Sequence, residues 1–187
     1  EMQALLGDLG VVLIPASDFP GAPEVEEDAP TLEGNARKKA VELQAFTGLS
    51  AVADDTGLEV DALGGRPGVH SARYSGPEAD AGANRAKLLR ELDGVRDRTA
   101  RFRTVIAYAD GEQVHLFEGV CEGRITEAER GAGGFGYDAL FVPEGEDRTF
   151  AEMGKGEKNA ISHRARALRG FVDFLGGGGG GMGVGVL

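Results

Sequence analysis

Apolar residues at Met2, Leu5, Leu6 and Leu9 recur at helical spacing and stop at Gly10, and the run Val11-Val12-Leu13-Ile14 then reads as a buried strand. Residues 15–30 form an acidic, proline-containing loop with Glu24, Glu26, Glu27 and Asp28. From Thr31 the spacing is helical to Phe46; the Thr31 hydroxyl suits an N-cap, and Gly48 a stop. The apolar run Ala51-Val52-Ala53 predicts a strand that delivers Asp54 and Asp55 to its C-terminal lip, with Gly57-Leu58-Glu59-Val60 extended beyond. Residues 64–79, rich in Gly, Pro and Ser, read as a long ordered loop of the functional kind. Asp80 to Leu92 is an amphipathic helix ending at Asp93-Gly94. Phe102–Ala109 and Gln113–Val120 read as strands joined through Asp110-Gly111, a hairpin signal. A glycine-rich loop over 131–138 leads to a short strand at 139–142, and a final helix runs from about Ile161 to Leu175.

Composition narrows the class. A chain of 187 residues with 41% hydrophobic content builds one α/β domain, or two small lobes, around a sizeable core. A net charge of −11 argues against a nucleic-acid polymer as partner, while a small anion remains allowed where positive charge concentrates locally. The single cysteine, Cys121, forms no intrachain disulfide and points to a reducing compartment. No apolar run approaches membrane-spanning length and no signal peptide is visible, so the expectation is a soluble cytoplasmic protein.

Four groups carry candidate chemistry. Glu27, Asp54 and Asp55 are carboxylates of the kind that hold Mg²⁺. Strand alternation sends Asp54 and Asp55 in different directions, so one suits a metal while the other works on a water; the same dipeptide also suits a solvated Asp-Asp-Thr-Gly turn. Of Arg37, Lys38 and Lys39, only one can face inward, and Lys39 lies one turn beyond Asn35. Gly131 to Asp138 sets Phe135 among four glycines, which fits either a tight turn or a ligand loop with a stacking ring. Lys158 with Ser162, His163 and Arg164 fits either a polar recognition cluster or a capping serine followed by surface charges. His70 and His115 lack partners at metal-ligand spacing. There is no P-loop, no Gly-x-Ser-x-Gly elbow and no Cys/His zinc cluster.

In order, TLEGNARKKA (31–40), AVADDTGLEVDALGGRPGVHSARYSG (51–76), GGFGYD (133–138) and KNAISHRARAL (158–168) closely resemble the non-canonical purine nucleoside-triphosphate pyrophosphatases, the inosine triphosphate pyrophosphatase family. The match runs from about Glu1 to Leu175 as a single domain. The resemblance implies an α/β fold with an elongated mixed β-sheet flanked by helices, and two lobes with the active-site cleft between them. It implies a homodimer, dependence on Mg²⁺, and conversion of ITP, dITP or XTP with water to the monophosphate and pyrophosphate. By the same resemblance, Asp55 is the general base and a metal-site residue, accompanied by Asp54 and Glu27. Thr56 contacts substrate and Lys39 faces the phosphates. Phe135, Gly136, Tyr137 and Asp138 grip the nucleotide, with Phe135 stacking on the base, and Lys158, His163 and Arg164 recognise the base.

Physical chemistry agrees with these roles. Hydrolysis between α- and β-phosphates needs charge neutralised, the leaving pyrophosphate held and a water oriented. Hypoxanthine and xanthine present an oxo acceptor at position 6 where adenine has an amino donor, so donors such as Arg164 favour the former. Guanine also carries a 6-oxo group, and its rejection must involve the 2-amino group.

The chain also departs from the family. Members begin with a strand and a Thr/Ser-x-Asn-x-x-Lys phosphate loop, and this chain opens just after that loop should end. Its tail is a run of six glycines followed by Met182 to Leu187, which resembles the missing strand joined to the other end; residues 176–187 are expected to be either an artefact or a strand filling that position. Ala139 replaces a common proline. Two rivals follow: a Maf-like pyrophosphatase acting on other modified nucleotides, and a scaffold that binds nucleotide or only dimerises.

Overall fold

The computed structural model describes residues 11–111, 113–179 and 185–186; the helix expected over residues 1–9 lies outside them. In chain order the elements are β1 (Leu13–Ile14), α1 (Leu32–Thr47), β2 (Ser50–Val60), β3 (Pro67–Gly68), α2 (Ala81–Glu91), β4 (Thr99–Ala109), β5 (Val114–Ile125), β6 (Phe141–Pro143), α3 (Lys155–Ile161), α4 (His163–Phe174) and β7 (Gly185–Val186). The strands form one mixed sheet in the order β1-β7-β2-β4-β5-β6, with β3 paired to β2. β7 runs parallel to both neighbours, Gly185 opposite Leu13 and Ser50, whereas β3 and β6 are antiparallel to β2 and β5.

Local chemistry explains the boundaries. The Thr31 hydroxyl accepts from Gly34 N–H to cap α1, and Gly48 closes it at φ 71°, a left-handed conformation that glycine adopts without strain. Asp80 caps α2 by accepting from Ala83 N–H. Two points differ from expectation. The Asp54-Asp55 pair lies in the middle of an eleven-residue strand and not at its lip, because Thr56 to Val60 keep strand alternation going, with Leu58 and Val60 buried. The final helix, α4, keeps close to its expected bounds, but an unexpected helix, α3, precedes it: Ser162 turns extended at ψ 155°, ends α3, and accepts from Ala165 N–H to begin α4.

The chain forms two compact units. Among the described residues, the first takes those through Asp55, Thr104–Gly119 and those from Arg166 on; the second takes Thr56–Arg103 and Val120–Ala165. Strands β2, β4 and β5 each contribute residues to both. In the first unit, Val52, Ile106 and Tyr108 of the sheet pack with Leu168 and Phe171 of α4. Ala36 and Ala40 are fully buried on α1, where small side chains permit close approach. The second unit buries Leu88 and Leu92 with Phe102, Phe141 and Phe150, and Phe102 and Phe141 meet edge-on with centroids 4.7 Å apart. Cys121 is a buried member of this core.

Among the described residues, no helix is long and apolar enough to cross a membrane. Gly123 packs tightly against the second core: a Cβ there would overlap the Val142 carbonyl and stand 2.6 Å from Phe141 Cζ. Gly123→Ala is therefore expected to destabilise the protein by about 2 kcal/mol through overpacking. Urea unfolding checks this, and an unshifted midpoint contradicts it.

Candidate functional site

The first unit holds the acidic group. Helix α1 presents Asn35 and Lys39 one turn apart, β2 presents Asp55, and the loop before α1 presents Glu27. Lys39 Nζ lies 2.7 Å from Glu27 Oε1 and 3.3 Å from Asp55 Oδ1, so two carboxylates share one ammonium. Asn35, fully buried, donates from Nδ2 to Asp55 Oδ2 at 3.1 Å, while its Oδ1 accepts from Ala29 N–H at 2.9 Å. Lys38 takes the adjacent loop residues, donating to Glu26 O and Asp28 Oδ1. Arg37 is exposed, whereas Lys39 turns toward Glu27 and Asp55 on the Asn35 face of the helix. Burial pushes the Asp55 carboxyl above its usual range; Lys39 and Asn35 pull it back without cancelling that rise, and Glu27 adds to it.

A cation fits this group chemically. The Lys39 ammonium already stands between Glu27 and Asp55, and hard oxygen donors suit a divalent ion of the magnesium kind. Asp54 is half-buried and next to Asp55 on the strand. Among the described residues, no three Asp, Glu, His or Cys side chains are already gathered as a cage.

The second unit holds a pocket of about 280 Å³, lined in part by Thr56, Phe135, Tyr137, His163 and Arg164. That volume lies just under the usual range for small-ligand sites, roughly 300–1,000 Å³. The Phe135 ring is 71% exposed, although large aromatic rings are normally covered. Its loop is fastened from behind. Asp138, 3% exposed, accepts from Phe135 N–H at 2.9 Å and from Lys158 Nζ at 2.5 Å. Lys158 Nζ also lies 4.6 Å from the Phe135 ring centroid, a cation–π contact. The Tyr137 hydroxyl donates to Ser71 O at 2.7 Å, and Arg85 Nη1 to Gly136 O at 2.9 Å. Gly134 must be glycine: φ is +70°, and a Cβ would overlap the Asp138 carboxylate.

His163 stacks on Phe102 with centroids 4.6 Å apart and is 7% exposed. Burial, helped by Arg164 and Lys158, pushes its pKa down to about 3, so the imidazole is neutral at ordinary pH. Its Nδ1 is buried and has no hydrogen-bond partner among the described residues. An unsatisfied buried ring nitrogen costs free energy, and a ligand edge that meets it recovers that cost. Thr56 and Arg164 are half-buried.

Every sequence-derived candidate thus falls into one of two sets. Glu27, Lys39 and Asp55 gather in the first unit, where Asp54 also lies; Thr56, Phe135, Gly136, Tyr137, Asp138, Lys158, His163 and Arg164 belong to the second. The two sets adjoin in sequence at the Asp55–Thr56 peptide. Sequence reading gave no role to Ser71 and Asn84 and noted Asn35 only for its helix face. Ser71 Oγ accepts from Leu58 N–H and donates to Gly68 O; Asn84 donates to Ala72 O and accepts from Ser75 N–H. The available signal was an asparagine at core-facing helical spacing, Asn35 with Ala36 and Ala40, and Asn84 with Leu88.

Comparison with known proteins fixes the family. The Ham1 family profile matches residues 1–174. The chain is 50% identical over 178 residues to the dITP/XTP pyrophosphatase of Desulforamulus reducens, covering 94% of this chain and 89% of that one. It is 51% identical over 179 residues to the dITP/XTP pyrophosphatase of Geobacter sulfurreducens, covering 94% and 90%. Among solved structures, the Staphylococcus aureus Ham1 protein superposes with a TM-score of 0.89 at 36% identity, covering 94% of this chain and 91% of that one. A HAM1 protein from Coxiella burnetii gives 0.89 at 41% identity, with the same coverage. The fold and the paired sets of residues define an α/β protein of nucleotide-pyrophosphatase type. The chain belongs to the Ham1 family.

His163 generates a pH prediction. Its folded pKa lies below the value of about 6.5 in an unfolded chain, so the unfolded state takes up more protons as pH falls, and stability drops between those values. His163→Gln is expected to lose about 2 kcal/mol less stability than the parent between pH 7.5 and 4.5. Denaturant unfolding at the two pH values checks this, and equal losses contradict it.

Proposed function

We propose that this protein hydrolyses non-canonical purine nucleoside triphosphates, ITP, dITP and XTP, to the monophosphate and pyrophosphate, clearing them from the nucleotide pool. One observation carries the reading most directly. An exposed Phe135 ring, a neutral His163 with an unpaired ring nitrogen, and Arg164 surround a pocket of single-heterocycle size. The names of two relatives agree: those from Desulforamulus reducens and Geobacter sulfurreducens are dITP/XTP pyrophosphatases.

The base stacks on Phe135, and Arg164 with nearby backbone N–H groups donates to its 6-oxo oxygen. Adenine's amino group would leave those donors unpaired, a mismatch that costs orders of magnitude in rate where a site is built to hydrogen-bond. Neutral His163 offers a donor and an acceptor nitrogen without adding charge. Thr56 contacts the substrate next to Asp55 in sequence. In the acidic group, Lys39 holds the phosphates and the departing pyrophosphate. Asp55 orients a water and takes its proton as the water oxygen bonds to the α-phosphorus and the bond to the bridging oxygen breaks; burial makes the carboxylate a stronger base. A magnesium ion held by Glu27 and Asp55, with Asp54 beside them, would neutralise polyphosphate charge and polarise the water. We further propose a homodimer working in the cytoplasm.

Pyrophosphate release from dITP with Mg²⁺, compared with dATP, dTTP and UTP, tests the reading. Rapid release from dITP alone supports it. Preference for the pyrimidines would favour the Maf-like class, and binding without turnover a scaffold. Asp55→Asn should lower kcat by at least about a thousandfold while dITP still binds, and near-parental turnover would contradict the role. Lys39→Ala should raise KM for dITP by about tenfold or more, since an ammonium–phosphate contact is lost. An unchanged KM would contradict the phosphate contact.

A further inference from the structure

Resting on that reading of the acidic group, we propose that Asn35 is a positioning residue: its single amide sets the spacing between the Glu27 loop and the Asp55 carboxylate. The two ends of the amide do different work. Oδ1 holds the loop by accepting from Ala29 N–H at 2.9 Å, and Nδ2 holds Asp55 Oδ2 at 3.1 Å. The planar amide makes the distance between these two anchors nearly rigid. Residues 26–28 of the same loop are fastened to the next turn of the helix through Lys38 and Lys39. Gly34 allows this approach, since a Cβ there would come within 2.7 Å of Ala29 Cβ. The loop carrying Glu27 is thus clamped against α1, and only Asn35 among these groups ties its backbone to the strand carrying Asp55 through one side chain.

A merely space-filling role does not explain the residue. Ala36 and Ala40 show that this face of α1 accepts small apolar side chains, and a fully buried amide is costly unless both ends are used. Here both ends are used, one by a carboxylate, whose hydrogen bonds are the strong kind. Asn35 belongs to the first unit, whereas the groups around the base pocket belong to the second. The effect of losing it should therefore fall on turnover and cation affinity, with base recognition spared.

The test uses the full chain and two variants. Asn35→Ala removes both anchors; Asn35→Asp keeps the size and the acceptor for Ala29 N–H but loses the donor to Asp55. Circular dichroism and melting curves establish the folded fraction, and rates are expressed per folded molecule. For either variant kcat on dITP should fall about 10- to 100-fold, the usual loss when a group supporting a metal-site ligand is removed, with KM at saturating Mg²⁺ within twofold. Calorimetric titration with Mg²⁺ alone should show affinity about tenfold weaker for Asn35→Ala. If the alanine variant does not fold, the aspartate variant carries the kinetic test. A folded variant with kcat and Mg²⁺ affinity within twofold of the parent overturns the proposal, as does a rise in KM at unchanged kcat. A parent that binds Mg²⁺ but does not hydrolyse dITP fails the functional reading alone, and the Mg²⁺ comparison still decides the role of Asn35. A parent that neither binds Mg²⁺ nor turns over dITP overturns both.

Discussion

A carboxylate buried in the middle of a long strand is the constraint around which the first unit is arranged. Asp55 stands on β2, three residues from fully packed Val52 and Leu58, and burial, with Glu27 adding to it, opposes its charge. Left alone it would neutralise or unfold its surroundings. Instead α1 supplies one ammonium and one amide, at a spacing of four residues that puts both on the same face. The small residues Ala36 and Ala40 bring that face close. Compensation is incomplete, since the carboxyl remains raised, as the base role proposed for it requires.

The second unit solves the opposite problem. Its pocket carries a neutral imidazole and an uncovered aromatic ring, both unfavourable in an empty site and both favourable once a flat polar heterocycle is present. Rigidity comes from behind the pocket wall. Asp138, Tyr137 and Ser71 spend their hydrogen bonds on backbone or on Lys158 and fix where the ring and loop sit. Preorganisation of this kind lowers the cost of ordering on binding.

Much of this was legible in the residues. Thr31 and Gly48 bracketed α1 because capping and left-handed termination depend on residue type alone. Helical spacing put Lys39 on the Asn35 face, while its choice as the inward cation came with the family resemblance. The hidden features were those set by tertiary context. Continuation of β2 past the aspartates required knowing that β3 and β4 flank it. The short helix α3 ahead of Ser162 went unread because its seven residues bury no apolar stripe. Asn35, Ser71 and Asn84 read as ordinary polar residues because their partners are backbone groups and a carboxylate distant in sequence. Gly185–Val186 pair between β1 and β2 in a register at which a run of six glycines gives no hint.

The ammonium over Phe135 has an electronic consequence. Lys158 draws π-density toward the face it covers, leaving the opposite face poorer in negative charge than that of an isolated benzene ring. On the proposed role of this ring, stacking there would discriminate by polarity as well as by shape: an electron-rich uncharged ring would be welcomed, while a heterocycle bearing a fixed positive charge, such as an N7-alkylated purine, would meet a depleted surface and a nearby cation. The aromatic platform would in this sense act as a charge filter.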